Sequence, residues 1–212
     1  MRHAIFASFL ALASFSTILQ AAPPATLQEG KNYTLVKPVQ PTENSKKIEV
    51  LEFFSYGCPH CHDLEPLMSA WEKKQAKDVN LQRVPVAFSK AWEPLSKMYY
   101  AFEVLGILDK YHTRFFNAVH QENLNYRDEN QLFEWVSKNG GNKTQFIEAY
   151  RSFGVQQKAQ RARQLAIQYA INGVPTLAID GKYLTSSSLT GSHETLFPVV
   201  DALVQQARHG HR

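Results

Sequence analysis

The chain has 212 residues, of which 44% are hydrophobic and 12% aromatic, enough to bury the core of one or two packed domains. It contains only two cysteines, close together, which excludes a disulfide-stapled miniprotein and a zinc ribbon built on separated cysteine pairs. The net charge of +4 is dispersed without a basic block, which excludes a nucleic-acid-binding stripe, and the 20% charged fraction suits a folded chain.

At the N-terminus, Arg2 and His3 precede an apolar run over 4–19 and the small residues Ala21 and Ala22. This is a secretory signal pattern, and residues 1–21 are expected to be removed. Ser8, Ser14 and Ser16 interrupt a run already short for a membrane span, which needs roughly 20 residues. The mature chain is therefore expected to be exported to a compartment where disulfides form.

Residues 22–47 read as extended, with an edge strand at 33–36. Ile48–Phe54 reads as a buried strand that carries two acids, Glu49 and Glu52, and Ser55-Tyr56-Gly57 ends it. Leu64, Leu67, Met68 and Trp71 recur at helical spacing, in a helix that Pro66 should kink. A second strand over 79–88 completes a β-α-β unit of the parallel type. From 89 to 171 every pattern is helical. Trp92, Leu95, Tyr99 and Phe102 share a face, and a second stretch covers 107–120 after Gly106. Asp128 with Gln131 and Asn142 with Gln145 are N-terminal capping signals. Val155, Ala159, Ala162, Ala166 and Tyr169 form a further stripe.

Strand character returns at Thr176–Ile179, and Asp180-Gly181 makes a two-residue hairpin turn into 182–185. Ser192 caps a last helix bearing Leu196, Val199, Val200 and Leu203. The order β-α-β, helices, β-β-α defines an α/β domain with halves at 22–88 and 172–212 around a helical insertion at 89–171.

Chemistry concentrates at Cys58-Pro59-His60-Cys61, between strand and helix. A sulfur at a helix N-terminus meets free backbone N–H groups and the positive end of the macrodipole, which favour the thiolate. Protonated His60 adds charge, and Pro59 fits the first helical turn because its missing N–H costs little there. We expect an exposed, low-pKa Cys58 as nucleophile and a sheltered Cys61 as the resolving thiol. Stabilising the thiolate stabilises the reduced form, so the pair should act as an oxidant.

Three other readings compete. Cys58 to His62 spells the c-type haem pattern, but a helix there would have to accommodate the macrocycle. Zinc would need Cys58, His60, Cys61 and His62 to converge from adjacent positions. A purely structural disulfide would close too short a loop to remove much chain entropy. No metal ligand is expected elsewhere: His112, His120 and His193 read as surface or helix residues, and His209 and His211 as a frayed tail. Trp92, Trp135, Tyr99 and Tyr100 read as core, and apolar residues near Tyr56 and Val174 as a possible peptide groove.

The second motif is Gly173-Val174-Pro175-Thr176, opening the returning strand. Together with Glu-Phe-Phe-Ser-Tyr-Gly-Cys-Pro-His-Cys at 52–61, it resembles the thioredoxin superfamily and, more closely, its DsbA family of exported thiol:disulfide oxidoreductases. The resemblance spans the mature chain and implies a thioredoxin fold with a helical insertion. It implies that Pro175 is a cis-proline against a redox-active Cys58–Cys61 disulfide, and that Val174 presents backbone to a substrate strand. Glu52 matches a buried acid that assists proton movement, and Arg83 stands where relatives often carry its basic partner. Thr176 departs from the small or apolar residues of some relatives. Pro66 stands at the interval of the kink proline of thioredoxin.

The implied protein is a periplasmic monomer without a cofactor beyond its disulfide. It would oxidise unfolded exported proteins and be re-oxidised by a DsbB-like membrane protein. A disulfide isomerase or reductase, and a non-enzymatic peptide-binding assembly factor, are the alternative functions. Such isomerases commonly carry an added dimerisation domain, for which the segment before Tyr33 is too short.

Overall fold

The computed structural model describes residues 26–210, so the expected signal segment 1–21 and His211 lie outside the described residues. Five strands form one mixed sheet in the order β1-β5-β4-β2-β3. The central strand β2, Ile48–Phe54, is buried along its whole length. It pairs in parallel with β3, Val79–Pro85, and antiparallel with β4, Thr176–Ile179. β5, Tyr183–Thr185, extends the sheet antiparallel to β4, and the short β1, Thr34–Leu35, closes that edge.

β3 is shorter than the strand expected over 79–88. Its last rung pairs Phe54 with Pro85, and Val86 N–H donates to the Phe54 carbonyl at 2.7 Å. Beyond that β2 has turned away at Ser55, so the chain has no ladder to join; it passes into a 3-10 turn at Lys90–Trp92.

A strand buried on both faces needs cover on each. Helix α1, Pro59–Glu72, and the C-terminal helix α8, His193–Gly210, cover one side, packing Leu64, Met68, Trp71, Leu196, Val200 and Leu203 with Ile48, Val50, Leu177 and Ile179. The larger core packs Leu51, Phe53 and Phe54 with the helices inserted between β3 and β4. These are α2, Glu93–Val104; α3, Leu108–His120; α4, Glu129–Lys138; α5, Lys143–Arg151; and α6, Phe153–Gln168. Asp128, Asn142 and Ser152 accept backbone N–H bonds at the starts of α4, α5 and α6, which supplies partners for donors a helix leaves free. Gln131 reaches the Asp128 carboxylate rather than its backbone.

Helix α1 continues through Pro66. Asp180 and Gly181 both have positive φ, the backbone of a type I′ turn, and Lys182 N–H closes it onto the Ile179 carbonyl at 3.0 Å. A short helix not anticipated from sequence, α7 at Ser187–Thr190, starts on the Ser186 side chain. Trp135, Tyr99 and Tyr100 are buried, whereas Trp92 is half-buried at the core's edge.

Candidate active site

Cys58 is the N-cap of α1 and Pro59 its first residue. The turn Ser55-Tyr56-Gly57 delivers the sulfur there. Cys58 N–H donates to the Ser55 carbonyl at 3.0 Å, and Gly57 N–H to Ser55 Oγ at 3.2 Å. Gly57 is small because a Cβ there would stand 3.0 Å from Leu95 Cδ1 and 3.1 Å from Trp92 Nε1.

The two thiols differ in environment. Cys61, one turn into α1, has no exposure, and burial pushes its pKa well up, reinforced by the hydrogen bond to Cys58 and the charge there. Cys58 is pulled down to about 6, first by the Cys61 side-chain hydrogen bond, then by the Cys61 and His60 backbone N–H groups and the His60 charge, all working against burial. Cys58, expected to be exposed, keeps only 6% of its surface. The reason is the facing loop: the Cys58 thiol donates to the Val174 carbonyl at 3.3 Å. The Val174–Pro175 peptide bond is cis.

Pro59 and His60 are exposed, and Thr176 is half-buried, its hydroxyl turned back onto the Gly173 carbonyl at 2.8 Å. That bond occupies the hydroxyl that set Thr176 apart in the sequence. His60, Val174, Pro175 and Thr176 line a cavity of about 520 Å³ shared with α7 and the start of α8.

Beneath the cysteines lies a buried charged network. Glu52 is 1% exposed, and its Oε2 stands 3.2 Å from Arg83 Nε. The contact is an ion pair without hydrogen-bond alignment, so neither atom has a hydrogen-bond partner among the described residues. Burial pushes the Glu52 pKa up to about 8, with Arg83 opposing and the Glu65 and Glu72 charges reinforcing. Those two acids share the same guanidinium, at 3.6 Å and 3.0 Å. Burial alone would lower the Arg83 pKa, but the three carboxylates outweigh it.

Sequence reasoning missed the other half of this network. Tyr56, beside the residues read as a possible groove, has no exposure, and its hydroxyl is 2.7 Å from His112 Nδ1. His112 Nε2 is 3.1 Å from Glu65 Oε2, and Ser69 Oγ donates to Glu65 Oε1 at 2.6 Å. His112 is thus a helix residue, but one buried inside the fold. Burial lowers its pKa and favours the neutral ring, and one tautomer satisfies both contacts: Nδ1 accepts from Tyr56 and Nε2–H donates to Glu65. Burial resists ionising Glu65, but His112, Arg83 and Ser69 together hold its pKa below the usual carboxylate range. The available signal was Glu65 and Ser69 one turn apart beside the apolar face of α1, and His112 within the stripe Tyr111, Phe115, Phe116.

His120 Nε2 lies 2.8 Å from the Tyr56 carbonyl, and His62 stacks on His120 at 5.0 Å, tying the active-site turn to α3. His193 opens α8 and His209 lies in its last turn. Among the described residues no helix is long and apolar enough to cross a membrane.

Residues 49–196 match the model of the DSBA-like thioredoxin domain. The chain is 39% identical over 191 residues to the thiol:disulfide interchange protein DsbA of Burkholderia cepacia, covering 90% of each. It is 37% identical over 209 residues to the protein of that name from Bordetella parapertussis, covering 98% of this chain and all of the relative. Among solved structures, DsbA from Pseudomonas aeruginosa superposes with a TM-score of 0.82 at 31% identity, over 85% of this chain and 94% of that one. DsbA from Xylella fastidiosa gives 0.80 at 29% identity, over 86% and 98%.

Proposed function

The chain belongs to the DSBA-like thioredoxin domain family, and from that premise we propose how its residues divide the work of disulfide donation. The protein is a thiol:disulfide oxidoreductase. In the oxidised state, a substrate thiolate attacks Cys58 Sγ. The Cys58–Cys61 bond breaks, and the electron pair leaves on Cys61, which takes up a proton because burial holds its pKa high. A second substrate thiolate then attacks the substrate sulfur of the mixed disulfide and expels Cys58 as a thiolate. The substrate leaves with a disulfide, and the enzyme holds the two electrons as thiolate and thiol.

The observation that carries this reading is the opposite shift of the two sulfurs, Cys58 down to about 6 and Cys61 well up, at the start of one helix. Cys58 is the better leaving group in the second step, so the mixed disulfide resolves toward oxidised substrate. His60 and Pro59 belong to the thiolate-stabilising turn. Pro175 and Val174 form the opposite wall, where a substrate strand meets the Val174 backbone, with Thr176 beside it. Glu52 supplies or accepts the proton at Cys61. The redox-active disulfide is the reacting group, and no other cofactor enters this scheme.

The substrates are unfolded exported proteins in the periplasm, and the re-oxidant is a DsbB-like membrane protein; the chain works as a monomer without nucleic acid. The division into a thioredoxin-like part, 22–88 with 172–212, and an insertion, 89–171, is supported by α2 to α6 standing between β3 and β4. The test is trapping: Cys61→Ser should accumulate mixed disulfides with exported proteins, and Cys58→Ser should not. Equal trapping by both variants would overturn the assignment.

A further inference from the structure

His60 and Asp63 lie one turn apart near the start of α1, and His193 is the first residue of α8. One ring nitrogen of each histidine and one Asp63 carboxylate oxygen all lie within 4.8 Å of one another. In a tetrahedral zinc site, bonds of about 2.0–2.2 Å put ligand atoms roughly 3.4 Å apart. His60 and Asp63 are exposed, so their side chains have room to close the remaining gap. His193 is half-buried and already held, with Nδ1 2.6 Å from Ser187 Oγ. When that nitrogen carries the proton and donates to Ser187, Nε2 keeps its lone pair for a metal, the arrangement that orients metal-binding imidazoles. Both helix N-termini are partly positive, which disfavours a cation, but Asp63 and the cavity-lining Glu194 counter it.

We propose that His60, Asp63 and His193 bind a divalent transition cation of the zinc type, and that the bound ion obstructs disulfide transfer. Two imidazoles and one carboxylate leave a fourth position open, as zinc sites with exchangeable ligands do. The obstruction follows from place: His60 and His193 line the same cavity as Val174, Pro175 and Thr176, so the ion occupies the groove beside Cys58. This consequence rests on the disulfide-donor reading, whereas the binding itself does not.

The test uses the oxidised protein, whose disulfide removes thiolates as competing ligands. Titration with zinc against a chromophoric chelator at neutral pH should reveal a site that Asp63→Asn and His193→Ala each weaken by at least about tenfold. Ser187→Ala should weaken it by about 10- to 100-fold, the usual cost of losing a group that orients a ligand. Equal zinc affinity in the wild type and these variants would overturn the site. In a transfer assay with a model peptide thiol, zinc should slow the wild type more than Asp63→Asn, whose zinc-free rate should match the wild type. Both proteins meet the same substrate, so zinc taken up by peptide thiols cancels. Equal slowing would overturn the obstruction. Failure to transfer a disulfide without zinc would instead overturn the donor reading, leaving the titration untouched.

Discussion

Raising the pH through the Cys58 titration should change how many protons accompany reduction of the disulfide. An ordinary thiol here would titrate at 9.0, whereas Cys58 titrates at about 6. At pH 7 an ordinary thiol is still protonated, so only the interval from 6 to 7 stabilises the reduced form. That interval is worth about 1.4 kcal/mol, or about 30 mV for a two-electron couple. Below pH 6 reduction takes up two protons, and the potential should fall by about 59 mV per pH unit; above pH 6 one proton remains, and the slope should halve to about 30 mV. Equilibration with glutathione buffers from pH 5 to 8 measures both slopes. The same titration appears in folding. A depressed thiol pKa adds stability that is complete above the unfolded pKa and lost as pH falls through the folded one. Unfolding of the reduced chain, measured relative to the oxidised chain, should therefore become harder by about 1.4 kcal/mol per pH unit between pH 6 and 8. Using the difference removes the Glu52 titration, which both forms share. A potential that keeps the two-proton slope up to pH 8 would refute the reasoning, because Cys58 would then be an ordinary thiol.

The buried network gives further expectations. Because Glu52 is protonated below its pKa of about 8 and so can deliver the Cys61 proton at pH 6, Glu52→Gln should slow exchange with a thiol peptide by about 10²-fold at that pH. The same variant should remove an inflection near pH 8 seen by stopped-flow fluorescence, and unchanged wild-type and variant profiles would count against a proton role for Glu52. His112→Leu leaves the Tyr56 hydroxyl and the Glu65 carboxylate without their shared partner, so urea unfolding should show a loss of about 3 kcal/mol; a loss below about 1 kcal/mol would contradict the network. Gly181→Ala puts a side chain at a φ of +65° and a Cβ against the Gln40 carbonyl oxygen, so it should cost at least about 1–2 kcal/mol in the same assay. No measurable change would mean that the hairpin shifts freely.

Local rules carried much of this protein. The apolar content and length of Ile48–Phe54 and Thr176–Ile179 match the observed strands, Asp180-Gly181 took the positive φ pair a type I′ turn requires, and Asp128, Asn142 and Ser192 all accept bonds at helix starts. Each depends on a few adjacent residues, so sequence determines it. The Cys58-Pro59-His60-Cys61 turn was legible for the same reason, since a strand, a break and a helix start fix where the first sulfur sits. Tertiary structure alone decided how accessible that sulfur is, because the covering Val174 carbonyl comes from the far side of the insertion. It also decided the charge network: Glu65, Arg83, His112 and Tyr56 come from α1, β3, α3 and a loop, and nothing local to any of them marks the others as partners. The two scarce cysteines alone leave a structural bond, haem attachment and a redox centre open, and the helix-start position, His60 and Pro175 select the redox reading. Their unequal acidity is divided: Cys61 and His60, within three residues, pull Cys58 down, whereas the burial that raises Cys61 comes from packing that adjacent sequence does not encode.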